Sequence, residues 1–386
     1  MKDDTKLVAA GRPHNKPAHP VNPPVERAST ILFPSYDDFV EGTKAINYGR
    51  LGTSSHRALE EAIGALEGAH QTRLASSGLQ ACVVSILAFV SAGDHVLVTD
   101  SVYDPTRRFC DRFLTRFGVE TTYYDPMADR ESITAQMRPN TKVIFAESPG
   151  SLTFEIQDLP MLADVAHSAG AALVVDNTWS GGYFLKPLSL GADISLTAAT
   201  KYLVGHADCL IGAISSKDEK TAELVFDALL RLGANVSADD AYLALRGMRT
   251  LSARLKRHEA SALALTNWLD KRDEVEIVLH PAFKSCAGHG LWKRDFTGSS
   301  GLFSVVLEET SEAGVKAFFN ALKLFGMGYS WGGFESLCIQ VRPETIRTVR
   351  PWSAPGPVFR IHVGLEDIED LQNDLSNAFT AMNEAK

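Results

Sequence analysis

Three short runs dominate the first half of the chain: His95–Thr99 (HVLVT), Lys142–Ala146 (KVIFA) and Ala171–Val175 (AALVV). Each is apolar almost throughout, without the alternation of a strand that shows one face to water. Between the last two lies Pro160–Ala169, a helical pattern ended by Gly170. Strands buried on both faces and separated by helices predict an α/β unit with a largely parallel sheet. A longer helical stretch at Leu245–Arg257 leads into a second unit, whose strands, such as Gly301–Leu307, read as half-exposed. Near the end, Val358–Val363 alternates. This puts Arg360 and His362 on one face and Phe359, Ile361 and Val363 on the other. Leu365, Ile368, Leu371, Leu375, Phe379 and Met382 then mark an amphipathic closing helix, with Glu366 and Asp367 in its first turn.

A chain of 386 residues suits two such units. Ahead of them Pro13, Pro17, Pro20, Pro23, Pro24 and Pro34 oppose helix. Residues 1–52 are expected to form an extended arm lying across another surface, that of a neighbouring subunit. Ser54 or Ser55 caps a helix through Leu59, Ile63 and Leu66 to Gly68. The expected division is 1–52, 53–247 and 248–386.

The net charge of −9 opposes nucleic acid or an anionic membrane as main partner, since both attract basic surfaces. The five cysteines are scattered and odd in number, with no C-x-x-C, so buried free thiols are expected rather than disulfides or a zinc site. No metal site is expected. The polar, proline-rich start has no signal-peptide core and no apolar run reaches membrane-spanning length, so a reducing cytoplasm is the expected location.

Dinucleotide, P-loop and zinc-protease motifs are missing. Three other features carry chemistry. Asp176 ends an apolar strand, where open α/β sheets bind ligands, although a cap or turn aspartate is an equal reading of that residue alone. Lys201 follows the small and apolar run Leu196-Thr-Ala-Ala-Thr and precedes Tyr-Leu-Val. Poor hydration there lowers a lysine pKa and frees its amine as a nucleophile. Ala75-Ser-Ser-Gly-Leu79 leads into the helix Ala81–Val90 and offers backbone N–H groups to an anion, a weak signal by itself. A phosphate cradle, a strand-end acid and a later lysine suit pyridoxal 5′-phosphate (PLP).

The stretch from Asp193 through Thr200-Lys-Tyr to Gly205-His206 resembles the signature of the Cys/Met-metabolism PLP enzymes, the trans-sulfuration family. So do Tyr48-Gly-Arg50, Glu147-Ser-Pro149, Asp176-Asn-Thr178 and Trp292–Gly301. Ala207 departs from the usual small polar residue or histidine. The resemblance implies the fold-type I aminotransferase-like architecture, with a large α/β domain and a smaller C-terminal α+β domain. By the same resemblance Lys201 carries the cofactor and moves the substrate Cα proton, Asp176 faces the pyridine nitrogen, and Tyr103 stacks on the ring. Gly78, Leu79 and Thr200 hold the phosphate, joined by Tyr48 and Arg50 of a neighbouring subunit in a dimer of dimers. Arg360 grips the substrate α-carboxylate, and Ser330 and Trp331, with Tyr48 and Tyr103, line the substrate pocket. The implied substrate is a small sulfur amino acid, cleaved at a carbon–sulfur bond. Glu147-Ser-Pro-Gly-Ser-Leu152 and Ser330-Trp-Gly-Gly333 stand where relatives acting at Cγ carry Glu-x-Pro-x-Asn-Pro and Ser-Leu-Gly-Gly. β-Elimination from cystathionine is therefore expected, with γ-lyase or γ-synthase chemistry as alternative. A PLP-binding regulatory protein is the non-enzymatic one.

Overall fold

The computed structural model describes residues 1–13, 18–41 and 47–385. Pro17 lies outside the described residues. Strands β1 (Gln71–Ala75), β2 (His95–Thr99), β3 (Glu120–Tyr124), β4 (Thr141–Glu147), β5 (Ala172–Asp176), β6 (Ile194–Thr197) and β7 (Gly212–Ser216) form one sheet. Their order is β1-β7-β6-β5-β4-β2-β3, and only β7 runs against its neighbours. Strands β8 (Val275–Leu279), β9 (Leu302–Leu307), β10 (Leu337–Val341) and β11 (Val358–His362) form a second, antiparallel sheet in the order β10-β11-β9-β8.

The continuous apolar runs follow from covering both faces of the first sheet. On β5, Leu173 and Val175 join one apolar cluster and Val174 the other; on β4, Ile144 and Ala146 part from Val143 and Phe145 in the same way. Among the helices, α1 (Asp3–Ala9) and α2 (Tyr36–Glu41) lie in the N-terminal segment, followed by α3 (Ser54–Glu67), α4 (Gly78–Leu87), α5 (Asp104–Arg112), α6 (Arg130–Gln136), α7 (Leu159–Ser168) and α8 (Glu219–Arg231). Leu59, Ile63 and Leu162 of α3 and α7 cover one face, and Val84, Cys110 and Val225 of α4, α5 and α8 the other. Thr53, not Ser54 or Ser55, caps α3 through a reciprocal bond with His56, and Gly68 ends it in the left-handed conformation.

The N-terminal segment is less extended than its prolines imply. Helix α1 forms ahead of the first proline, with Asp3 and Asp4 in its first turn. It docks on its own chain: Leu7 is buried, Asp3 pairs with Lys186 at 3.0 Å, and Arg249 donates to the Leu7 carbonyl. The stretch Leu245–Arg257 is two helices, α9 (Ala238–Met248) and α10 (Leu251–Leu269), broken at Arg249-Thr250. Beyond them lie α11 (His289–Asp295), α12 (Glu312–Ala321) and α13 (Ile368–Glu384). Asp367 caps α13 rather than sitting in its first turn, and Glu366 turns back to Ser336.

Strand β9 is not half-exposed: all six residues are buried. Phe303, Val305 and Leu307 pack beneath α10, α12 and α13, while Leu302 and Val306 join the cluster of the large unit. Its second cover thus comes from the other unit. Phe318 centres the small core, its ring 4.9 Å from Phe359 and 5.0 Å from Phe379. Phe318→Ala should cost about 3–5 kcal/mol, read as a lowered denaturant midpoint, because a buried ring leaves a cavity that neighbours fill only partly.

Candidate active site

The carboxyl ends of β4 and β5 carry Glu147 and Asp176, paired in register. Oδ1 of Asp176 accepts from Thr178 N (2.9 Å) and Oγ1 (2.5 Å), and Oδ2 accepts from the Cys82 thiol at 3.7 Å. Burial pushes the Asp176 carboxyl up, against the pull of Thr178, Cys82 and Lys201. Glu147 Oε2 accepts from Tyr103 N at 2.6 Å, where α5 begins. Burial, reinforced by Asp176, pushes Glu147 well above the usual carboxyl range.

Lys201 lies in the turn after β6. Its Nζ donates to Ser330 Oγ at 3.0 Å and sits 4.5 Å from the Trp331 ring centroid. Burial, then repulsion from Arg360, brings the amine down to about 8. The turn is braced from several sides. Thr200 exchanges hydroxyl and amide bonds with Ile211, and Gly205 N bonds the Lys201 carbonyl at 2.7 Å. Buried Arg254, which makes no ion pair among the described residues, donates to the carbonyls of Tyr202 (2.7 Å) and Gly247 (2.9 Å). A Cβ on Gly78 would stand 2.4 Å from Ala198 Cβ, so only glycine lets the start of α4 touch this turn.

Arg360, on β11, donates to the Ser330 carbonyl at 3.0 Å, and burial lowers its guanidinium to about 10. Ser330 itself takes the left-handed backbone (φ 75°). The next turn is fixed by Gly332 N, which donates to His362 Nε2 at 3.1 Å. One pocket is lined by Glu147, Gly150, Leu152, Asp176, Trp331 and Arg360. Lys201, Asp176, Tyr103, Ser330, Trp331 and Arg360 therefore converge. Tyr48 and Arg50 do not join them. Gly49–Leu51 is a 3-10 turn rather than an extended segment, with the Arg50 guanidinium 5.9 Å over the Tyr48 ring. Arg50 donates to the Leu230 carbonyl and lines a different cavity, with Phe226 and Asn235.

Thr178, Cys82, Glu147 and Arg254 join the site without a role expected from the sequence. Thr178 was within reach, as the hydroxyl two residues after a strand-end acid. The others depend on contacts between distant segments.

These residues suit a phosphorylated pyridine aldehyde on three counts. Ser77 caps α4 by accepting from Gln80 N, while the Gly78 and Leu79 N–H groups have no bond among the described residues, as an anion cradle requires. Two carboxyls, Asp176 buried and Glu147 half-buried, neither in an ion pair among the described residues, suit a cationic ring nitrogen. A low-pKa lysine amine stands beside them, as an aldehyde partner must. No group of acidic, histidine or cysteine side chains with metal-holding geometry occurs among the described residues, and the five cysteines are free and buried. Among those residues no helix is long and apolar enough to cross a membrane.

Fold and site together define a pyridoxal-phosphate enzyme of fold type I. The chain belongs to the family of Cys/Met metabolism PLP-dependent enzymes, whose sequence profile matches residues 4–380. It is 43% identical over 369 residues to the cystathionine beta-lyase of Bordetella avium, covering 94% of this chain and 92% of that protein. It is 41% identical over 387 residues to the cystathionine beta-lyase of Salmonella typhimurium, covering 97% and 98%. The crystal structure of metB from Corynebacterium glutamicum superposes with a TM-score of 0.91 at 32% identity, covering 98% of each chain.

Because Lys201 lies near 8 rather than the ordinary 10.5, its uncharged fraction grows through about pH 7 to 9. The rate at which apoprotein captures PLP should rise over that window and level off above it. Stopped-flow absorbance across pH checks this.

Proposed function

We propose that this chain is a cystathionine β-lyase, releasing homocysteine, pyruvate and ammonia from L-cystathionine. The observation that carries the reading is the desolvated Lys201 amine, held at Ser330 Oγ between the strand-end acids and Arg360. Bound PLP supplies an aldehyde to link the lysine or the substrate, and a pyridinium ring able to accept the electrons left at Cα.

In this reading Lys201 carries the cofactor, and Asp176 keeps the ring nitrogen protonated. Tyr103, its backbone fixed by Glu147, would stack on the ring. Gly78 and Leu79 give N–H groups to the phosphate. Thr200 gives its hydroxyl by surrendering its bond to the Ile211 carbonyl. Arg360 takes the substrate α-carboxylate in a two-pronged bond, with Ser330, Trp331, Tyr48 and Tyr103 around the rest. With the substrate held there, the Lys201 amine would remove the Cα proton. The thiolate then leaves from Cβ.

Tyr48 and Arg50 complete the phosphate site of a second copy, in a dimer or dimer of dimers. Their separation from Lys201 within one chain supports this. So does the exposure of Val21, Leu32, Tyr36 and Phe39; apart from α1, which docks on its own chain, we assign the segment 1–52 to the subunit contact. The catalytic unit is assigned to 53–247 and the smaller one to 248–386.

β- rather than γ-chemistry is favoured by Leu152 and Trp331, both in the pocket wall where the γ-acting pattern differs. A γ-elimination needs a second proton taken from Cβ. Cystathionine given to the holoenzyme should release pyruvate, not 2-oxobutyrate. A persistent cofactor spectrum with neither product would favour a binding protein.

Lys201→Ala should keep the fold, shown by far-ultraviolet dichroism, and lose pyruvate release; wild-type turnover would refute the assignment. Arg360→Ala should weaken substrate binding by about 2–5 kcal/mol, seen chiefly as a raised KM.

A further inference from the structure

We propose that Glu147 is a positioning residue that stays protonated beside an ionised Asp176. The strand ends then present one negative charge, on Asp176, while Glu147 anchors Tyr103. The inference rests on the assignment of Asp176 to the ring nitrogen.

Glu147 and Asp176 are the last residues of adjacent parallel strands and are Cα partners. Two residues before them, Phe145 and Val174 point into the same apolar layer. Both carboxyls therefore leave the same face of the sheet from backbones about 5 Å apart. Both line one pocket, and neither makes an ion pair among the described residues. Two carboxyls sharing a poorly hydrated site do not both ionise near neutrality.

The donors decide which keeps the proton. Asp176 receives Thr178 N, Thr178 Oγ1 and the Cys82 thiol. Glu147 receives two, from Tyr103 N and from the Ser151 side chain. The cations acting on the pair do not reverse this order. Lys201 draws on Asp176, and Arg347, which acts on Glu147, is already paired with Glu155 at 3.0 Å. The start of α5 favours charge on Glu147, but Asp104 already sits in that first turn. A neutral Glu147 still accepts from Tyr103 N through its carbonyl oxygen.

The test measures PLP affinity by absorbance titration of apoprotein, together with carboxyl infrared absorption. Glu147→Gln copies a neutral acid, so its dissociation constant at pH 7 should stay within about threefold of wild type. Glu147→Ala, which loses the acceptor for Tyr103, should weaken binding about tenfold or more. Infrared absorption of apoprotein at pH 7 should lose one protonated-carboxyl component in Glu147→Gln. A tenfold or greater loss of affinity in Glu147→Gln, an unchanged infrared band, or failure of that variant to fold would overturn the proposal. Asp176→Asn separates the two readings. It should weaken PLP by about a hundredfold, and wild-type affinity there would instead sink the assignment of Asp176.

Discussion

Chemistry in this protein depends on keeping water from one amine. Lys201 is driven toward neutrality by what packs around its turn, and the packing comes from segments far apart in the chain. The start of α4 presses from one side, allowed by Gly78. The loop after Tyr329 presses from another, where a Cβ on Gly332 would stand 2.8 Å from Tyr202 N. Behind the turn, Arg254 spends its guanidinium on backbone carbonyls. Together they hold the turn where burial lowers the basicity of the amine.

The two units also meet through the segment that leads into β11. Buried Asp100 accepts from the backbone of Thr348 and Val349 and from Arg107 at 2.6 Å, while Arg347 reaches Glu155 at 3.0 Å. The segment leading to β11, and so to Arg360, is fastened to the large unit beside the pocket wall. The placement of the guanidinium is a property of both units together.

Much of the large unit was legible because its signals are local. The runs containing Leu97, Ile144 and Leu173 announced covered strands, and their ends located Asp176. The small residues before Lys201 announced poor hydration, which the depressed amine bears out. What stayed hidden depends on contacts between distant segments. Gly301–Leu307 looks half-polar through Ser304 alone, but its second face is covered by another unit. Glu147 and Asp176 become neighbours only through strand register. The turn carrying Lys201 rests on the end of α9, where a Cβ on Gly247 would meet the Val204 carbonyl oxygen at 2.2 Å. The N-terminal helix was missed because the prolines after it governed the reading of residues before it.

One apolar cluster contains Leu59 and Leu173 of the large unit as well as Leu302, Val306 and Val358 of the small one. The small unit therefore has no finished exterior on that side. Cut away, it would present a greasy wall with Arg360 at its rim, prone to sticking to itself. The boundary between the units is an internal seam, and a chain emerging from the ribosome must hold the first part ready until the last strand arrives to seal it.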